Sequence, residues 1–282
     1  MVRENLKKRV AVITGGGGVL CSSFATALTE HGIKIAVLDI DKEKAQDTVE
    51  EVKNMGGEAI AIACDVLDRD SVADAEKEIS KVFGGYDILI NGAGGNHPKG
   101  TTTKETLSID DLNKLTDNNF TFLDMDAKDL SWVFDLNFIG TLIPTQIFLP
   151  KLAGKKGATI INISSMSAFC PMTKVPAYSA AKAAISNFTQ WLAVYLANAG
   201  IRVNAIAPGF FETEQNRTLL RNKDGSLTER SNKIITHTPM RRFGKPEDLH
   251  GTLIWLCDEE ESGFVTGVVI PVDGGFMAYS GV

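Results

Sequence analysis

Seven short apolar runs punctuate the chain, at residues 10–13, 34–38, 59–63, 88–90, 158–163, 202–206 and 268–272. They are apolar throughout rather than alternating. That pattern predicts strands buried on both faces, as in a parallel sheet. Longer stretches with helical spacing lie between them. Residues 20–31 end at Gly32, a residue suited to close a helix. Residues 41–55 open on an acidic cap and end at Gly56-Gly57. Residues 71–83 place Val72, Ala75, Ile79 and Val82 on one face, and residues 177–199 and 246–257 complete the set. Such alternation predicts an α/β fold: a single-domain Rossmann-type, doubly wound parallel sheet of about seven strands with helices on both faces.

No composition break or repeat marks a linker, so residues 1–282 read as one domain. Residues 94–130 are too long for an ordinary strand-to-helix loop and read as an insertion. The polar segment 210–240 reads as a substrate lid. The most apolar stretch, 138–150, is too short for a membrane span and is broken by Gly140, Pro144 and Gln146.

The balance of 29 basic and 35 acidic residues gives a net charge of −6, which offers no electrostatic case for nucleic acid or an anionic membrane. Cys21, Cys64, Cys170 and Cys257 form no Cys-x-x-Cys pair, and none has a His at ligand spacing. The expectation is four reduced thiols, no metal site and a cytoplasmic protein. The polar N-terminus shows no signal-peptide pattern.

Thr14-Gly15-Gly16-Gly17-Gly18 follows the first strand and opens the first helix. Glycines there let the backbone approach a pyrophosphate, and a helix N-terminus offers it N–H groups. Asp39 lies 21 residues after Gly18, near the spacing of an acid that binds a ribose diol and repels a 2′-phosphate. This predicts NAD(H) over NADP(H). The alternative is that Asp39 or Asp41 only caps the next helix.

Tyr178 and Lys182 stand at i and i+4 on a helical pattern, one turn apart. An ammonium beside a phenol favours the phenolate, and the expectation is a Tyr178 pKa lowered into a range useful for proton transfer. Ser165 ends a strand and offers a hydroxyl to a substrate oxygen. Pairs at this spacing also occur as plain surface packing; the surrounding motifs decide.

Those motifs resemble the short-chain dehydrogenase/reductase family over nearly the whole chain. They are Thr14 to Gly18, Asp65, Asn91-Gly92-Ala93-Gly94, Asn137, Ser165, Tyr178, Lys182, the run Arg202-Val203-Asn204-Ala205-Ile206-Ala207-Pro208-Gly209, and Asp273-Gly274-Gly275. The resemblance implies that Tyr178 is the general acid in reduction and that Lys182 holds the nicotinamide ribose. Ser165 would orient the reacting oxygen, and Asn137 would hold a relay water. Cofactor contacts are implied for Gly15, Gly17, Gly18, Asp39, Asp65, Val66, Asn91, Ala93, Gly94, Tyr178, Lys182, Pro208, Gly209 and Thr213. It also implies a homotetramer. The family turn has two further glycines where this chain has Val19 and Cys21. Either Gly17 and Gly18 do their work, or the cofactor sits differently.

The four-glycine turn and the loop Gly94 to Gly100 resemble the D-mannonate oxidoreductase (fructuronate reductase) branch of that family. The implied reaction is D-fructuronate plus NADH to D-mannonate plus NAD. Asn96, His97, Lys99 and Ser165 are then the substrate-binding candidates, and Arg241 or Arg242 could clamp the sugar acid's carboxylate. Alternatives are another carbonyl reductase, a polyol- or gluconate-type dehydrogenase, or a non-catalytic NAD-binding protein.

Overall fold

A computed structural model describes residues 3–113, 119–213 and 216–281. The seven expected strands are β1 (Val10–Thr14), β2 (Lys34–Asp39), β3 (Ala59–Ala63), β4 (Ile88–Asn91), β5 (Thr159–Ile163), β6 (Arg202–Pro208) and β7 (Val269–Val272). All pair in parallel, in the order β3-β2-β1-β4-β5-β6-β7. The order reverses between β1 and β4, so a crevice opens at their carboxyl ends, where α/β sheets of this kind take ligands.

Side chains alternate between two cores. Ala11, Ile13, Ile35 and Val37 face one, with Phe24 and Leu28 of α1 (Val19–Thr29) and Val49 of α2 (Lys42–Asn54). Val10, Val12, Ala36 and Leu38 face the other, with Ile79 of α3 (Arg69–Phe83). Asp41 caps α2 and Asp68 caps α3, each accepting from two backbone N–H groups. Asp41 is therefore the capping residue, which leaves Asp39 free for another part.

The insertion holds a short helix, α4 (Ile109–Asn113), and then α5 (Ala127–Phe134). A π-helical turn at Asp135–Ile139 joins α5 to α6 (Gly140–Leu152). The apolar stretch is thus part of a helical run of 26 residues, Ala127–Leu152, long and apolar enough by length and composition to cross a membrane. It packs against α3, β4 and α7 (Pro176–Leu196) of the same chain, which is the work that its apolar residues do. The expected lid contains α8 (Arg217–Leu220) and α9 (Glu229–His237), and α10 (His250–Cys257) returns to the first core.

Candidate active site

The turn after β1 is built for close approach. Gly15 has φ +63°, and a Cβ on it would stand 2.8 Å from the Cα of Ala93. Gly18 donates to the carbonyl of Gly15 at 3.1 Å and is the N-cap of α1. Unlike α2 and α3, α1 has no side-chain cap, so the N–H groups of its first turn face outward with no side chain to serve them. Asp39 closes the turn from the side: its carboxylate accepts from Gly17 N–H and from Asp41 N–H, each at 3.0 Å.

The two departures from the family turn now have places. Val19 is the first residue of α1, so Gly15 to Gly18 form the turn themselves. Cys21 is buried against Gly92, and its thiol fills the room that a side chain at Gly92 would need. Burial pushes that thiol up to about 12, so it is a packing group.

Thr14 ties the two sides of the crevice together. Its hydroxyl accepts from Gly92 N–H at 3.1 Å and Ala93 N–H at 3.3 Å. Asn91 turns inward: its amide donates to Thr145 and Asn162, and its Oδ1 is buried with no partner among the described residues. Asp65 accepts from Leu67 N–H at 2.9 Å, and Val66 packs on Gly140, so both form the turn after β3.

Ser165 follows β5 and caps a short 3₁₀ turn, Met166–Ala168, while Tyr178 and Lys182 lie in the first two turns of α7. The Ser165 hydroxyl faces the Tyr178 phenol. Lys182 Nζ lies 5.7 Å from the Tyr178 ring centroid and donates to the carbonyl of Ile163 at 2.8 Å. A Cβ on Gly94 would stand 2.7 Å from Asn137 Oδ1 and 3.1 Å from Lys182 Nζ, so glycine is what lets the loop after β4 pass between them. The π turn carries Asn137 inward, where its amide donates to the carbonyls of Gly95 and Val133 at 2.7 Å and accepts from Gly95 N–H.

The electrostatics correct one expectation. Burial pushes the Tyr178 phenol above its ordinary value; the Ser165 hydroxyl opposes that rise. Burial also lowers Lys182, to about 8. The ammonium's hydrogen bond goes to Ile163, so it does not offset the desolvation of the phenol in the protein without cofactor.

The remaining candidates sit at the rim. Gly209 packs on Asp273, and Thr213 opens the turn into α8, donating to Asn216 Oδ1 at 2.8 Å. Asn96 donates to Thr101 at 2.8 Å. The ring of His97 lies 5.1 Å from that of Trp132, and Lys99 stands 3.8 Å from Asp129. Arg242 is forked on Asp248, so its guanidinium is already committed to a carboxylate, whereas Arg241 donates one N–H to the carbonyl of Thr236 and keeps its other donors. A cavity of about 200 Å³ beside Phe210, Phe211 and Asp273 lies at the ends of β6 and β7, away from Tyr178.

The sequence profile of the family described as short chain dehydrogenase matches residues 9–224. The chain belongs to the short-chain dehydrogenase family. It is therefore an NAD(P)-dependent oxidoreductase by family. The chain is 56% identical to the uncharacterized oxidoreductase UxuB of Bacillus subtilis over 281 residues, covering 100% of this chain and 99% of that one. A crystal structure from Haemophilus influenzae, of a protein provisionally named a D-mannonate oxidoreductase, holds NAD. It superposes with a TM-score of 0.93 at 52% identity over 98% of both chains. A 3-ketoacyl-(acyl-carrier-protein) reductase of Brucella melitensis, solved with NADH, superposes with a TM-score of 0.80 at 28% identity, over 96% of this chain and 99% of that one.

As a short-chain dehydrogenase, the chain fits a dinucleotide on its own geometry. The uncapped start of α1 and the side-chain-free turn would offer N–H donors to a pyrophosphate, and the Asp39 carboxylate would offer acceptors to a ribose diol. The sequence reading passed over Gly95 and Ile163, whose backbones hold Asn137 and Lys182. Nothing in a residue pattern marks a backbone carbonyl as a partner.

Proposed function

We propose that the protein is an NAD-dependent oxidoreductase of sugar acids that reduces D-fructuronate to D-mannonate. The observation that carries this reading is the 52% identity across 98% of both chains to the NAD-bound protein provisionally named a D-mannonate oxidoreductase. The site chemistry agrees with it.

When bound, the nicotinamide supplies the hydride. Tyr178 donates its phenolic proton to the carbonyl oxygen as that oxygen gains charge, and Ser165 donates a hydrogen bond to the same oxygen. The raised pKa of Tyr178 keeps the phenol protonated at neutral pH, the state that reduction needs. Lys182 holds the nicotinamide ribose and, through its charge, stabilises the phenolate left behind. Asn137 fixes the loop at Gly94 and Gly95 and holds a water that returns a proton to Lys182. Gly15, Gly17 and Gly18 cradle the pyrophosphate, and Asp39 accepts from the adenosine ribose diol, which favours NAD(H). Asp65, Val66 and the backbones of Asn91, Ala93 and Gly94 line the adenosine half; Pro208, Gly209 and Thr213 line the nicotinamide half. Asn96, His97 and Lys99 contact the substrate from the insertion, and residues 210–240 close over it.

The outer face of α7, where Trp191 stacks on Tyr195 at 4.8 Å and Val194 is 81% exposed, is read as a surface through which four copies assemble. Light scattering measures that directly.

The reading is tested by assaying D-fructuronate with NADH beside a panel of ketoses and other keto acids. D-Fructuronate is expected to give the highest kcat/KM. An enzyme without that preference ends the substrate reading while leaving the oxidoreductase chemistry.

A further inference from the structure

A sugar-acid substrate brings a carboxylate to the site, yet several cations of the insertion and of the segments after β6 are already engaged. Lys104 is paired with Asp111, Arg221 is forked on Glu212 and Arg242 on Asp248. Lys174 differs. It lies on the segment that joins the Ser165 turn to α7, four residues before Tyr178. That segment is held at two points. Met172 N–H donates to Ser179, next to Tyr178, at 3.2 Å, and the Lys174 carbonyl accepts from Thr102 N–H of the insertion at 2.9 Å. The residue is half-buried, and among the described residues its ammonium has no anion or acceptor. Its φ is +74°, a left-handed conformation in which a lysine is strained and a glycine is not. Lys8 and Arg241 also have positive φ, and of the three Lys174 is the one four residues from Tyr178; strained backbone of this kind clusters at functional sites.

We propose that Lys174 recognises the substrate carboxylate, as a specificity-determining residue that pairs with the anion while Ser165 and Tyr178 act on the carbonyl. The proposal rests on the sugar-acid reading above. A charge-assisted contact of this kind changes affinity about 10- to 100-fold.

The test compares wild type, Lys174→Gln, Lys174→Arg and Lys174→Gly with D-fructuronate and with D-fructose, the same skeleton carrying a primary alcohol in place of the carboxylate. The expected result is a KM for D-fructuronate raised about 10-fold or more in the Gln and Gly variants, with kcat changed much less. Lys174→Arg should restore most of the affinity, and activity on D-fructose should stay the same in all four. Lys174→Gly keeps the backbone contact to Thr102 and relieves the strain, so it should melt no lower than wild type. If wild type reduces D-fructuronate and Lys174→Gln keeps its KM, the lysine assignment is overturned alone. If wild type prefers another keto acid and Lys174→Gln weakens it, the substrate reading falls and the lysine stands. A wild type that takes only neutral carbonyls overturns both.

Discussion

The thiol of Cys21 occupies the space beside the Cα of Gly92, so that the helix α1 and the loop leaving β4 meet where a side chain at Gly92 has no room. The family turn has a glycine at the helix position that Cys21 fills here, and Gly92 leaves room for its thiol. Adding a methyl at Gly92 should cost about 1–3 kcal/mol of stability through overpacking. Combining Gly92→Ala with Cys21→Ala should recover part of it. Chemical denaturation of the two single variants and the double variant measures the coupling; strictly additive losses would show that the two residues do not share one space.

Tyr178→Phe removes the proposed proton donor and leaves the ring. Turnover is expected to fall about 10²- to 10⁴-fold. NADH affinity, read by fluorescence titration, should change little. Equal turnover would mean that the phenol is not the acid.

Lys182 carries a charge in a buried place, and the protein bears the cost. Its pKa is about 8 when folded, against about 10.4 in an unfolded chain. Between those values the unfolded state binds more protons, so this group makes stability rise with pH across that window; below pH 8 its full cost is present. Lys182→Met should therefore stabilise the cofactor-free protein at pH 7, by about 1–3 kcal/mol, while abolishing activity. The gain should shrink as the pH approaches 10. Melting curves of both proteins across that range provide the check.

Reduction and oxidation should differ in their response to pH. The Tyr178 phenol is held above its ordinary pKa, so it stays a donor through neutrality. Reduction is expected to be flat from pH 6 to 7.5 and to fall above pH 8 as Lys182 loses its proton. Alcohol oxidation, which needs the phenolate, should rise over the same range. A reduction rate that climbs from pH 7 to 9 would contradict these assignments.

Asp39→Ser removes the carboxylate that lies beside the glycine turn. The ratio of kcat/KM for NADPH over NADH should rise about 100-fold, because a like-charge contact costs several kcal/mol. An unchanged ratio would place the adenosine ribose elsewhere.

Most of the sheet was legible because its inner strands are buried on both faces and read as unbroken apolar runs, from Ile88 to Ile90 as clearly as from Ile160 to Ile163, while the edge strands β3 and β7 are apolar but only partly buried. The helical run from Ala127 to Leu152 was not. It packs on several neighbours at once, so its apolar residues follow no single stripe, and Gly140 and Pro144 lie inside it. The Ser165, Tyr178 and Lys182 set was legible as a motif. The direction of the Tyr178 shift was not, because spacing along a helix says nothing about how dry the helix's first turn is or where an ammonium finds its hydrogen bond.

Tyr178 and Lys182 ride on one 21-residue helix, and Ser165 stands on the exit of a central strand. The groups that move protons are thus bolted to the frame, whereas Asn96, His97, Lys99 and Lys174 belong to connecting segments. On the roles proposed above, appetite and engine are separable parts: exchanging the outer segments between relatives should retarget the enzyme without retuning the step that makes or breaks the O–H bond.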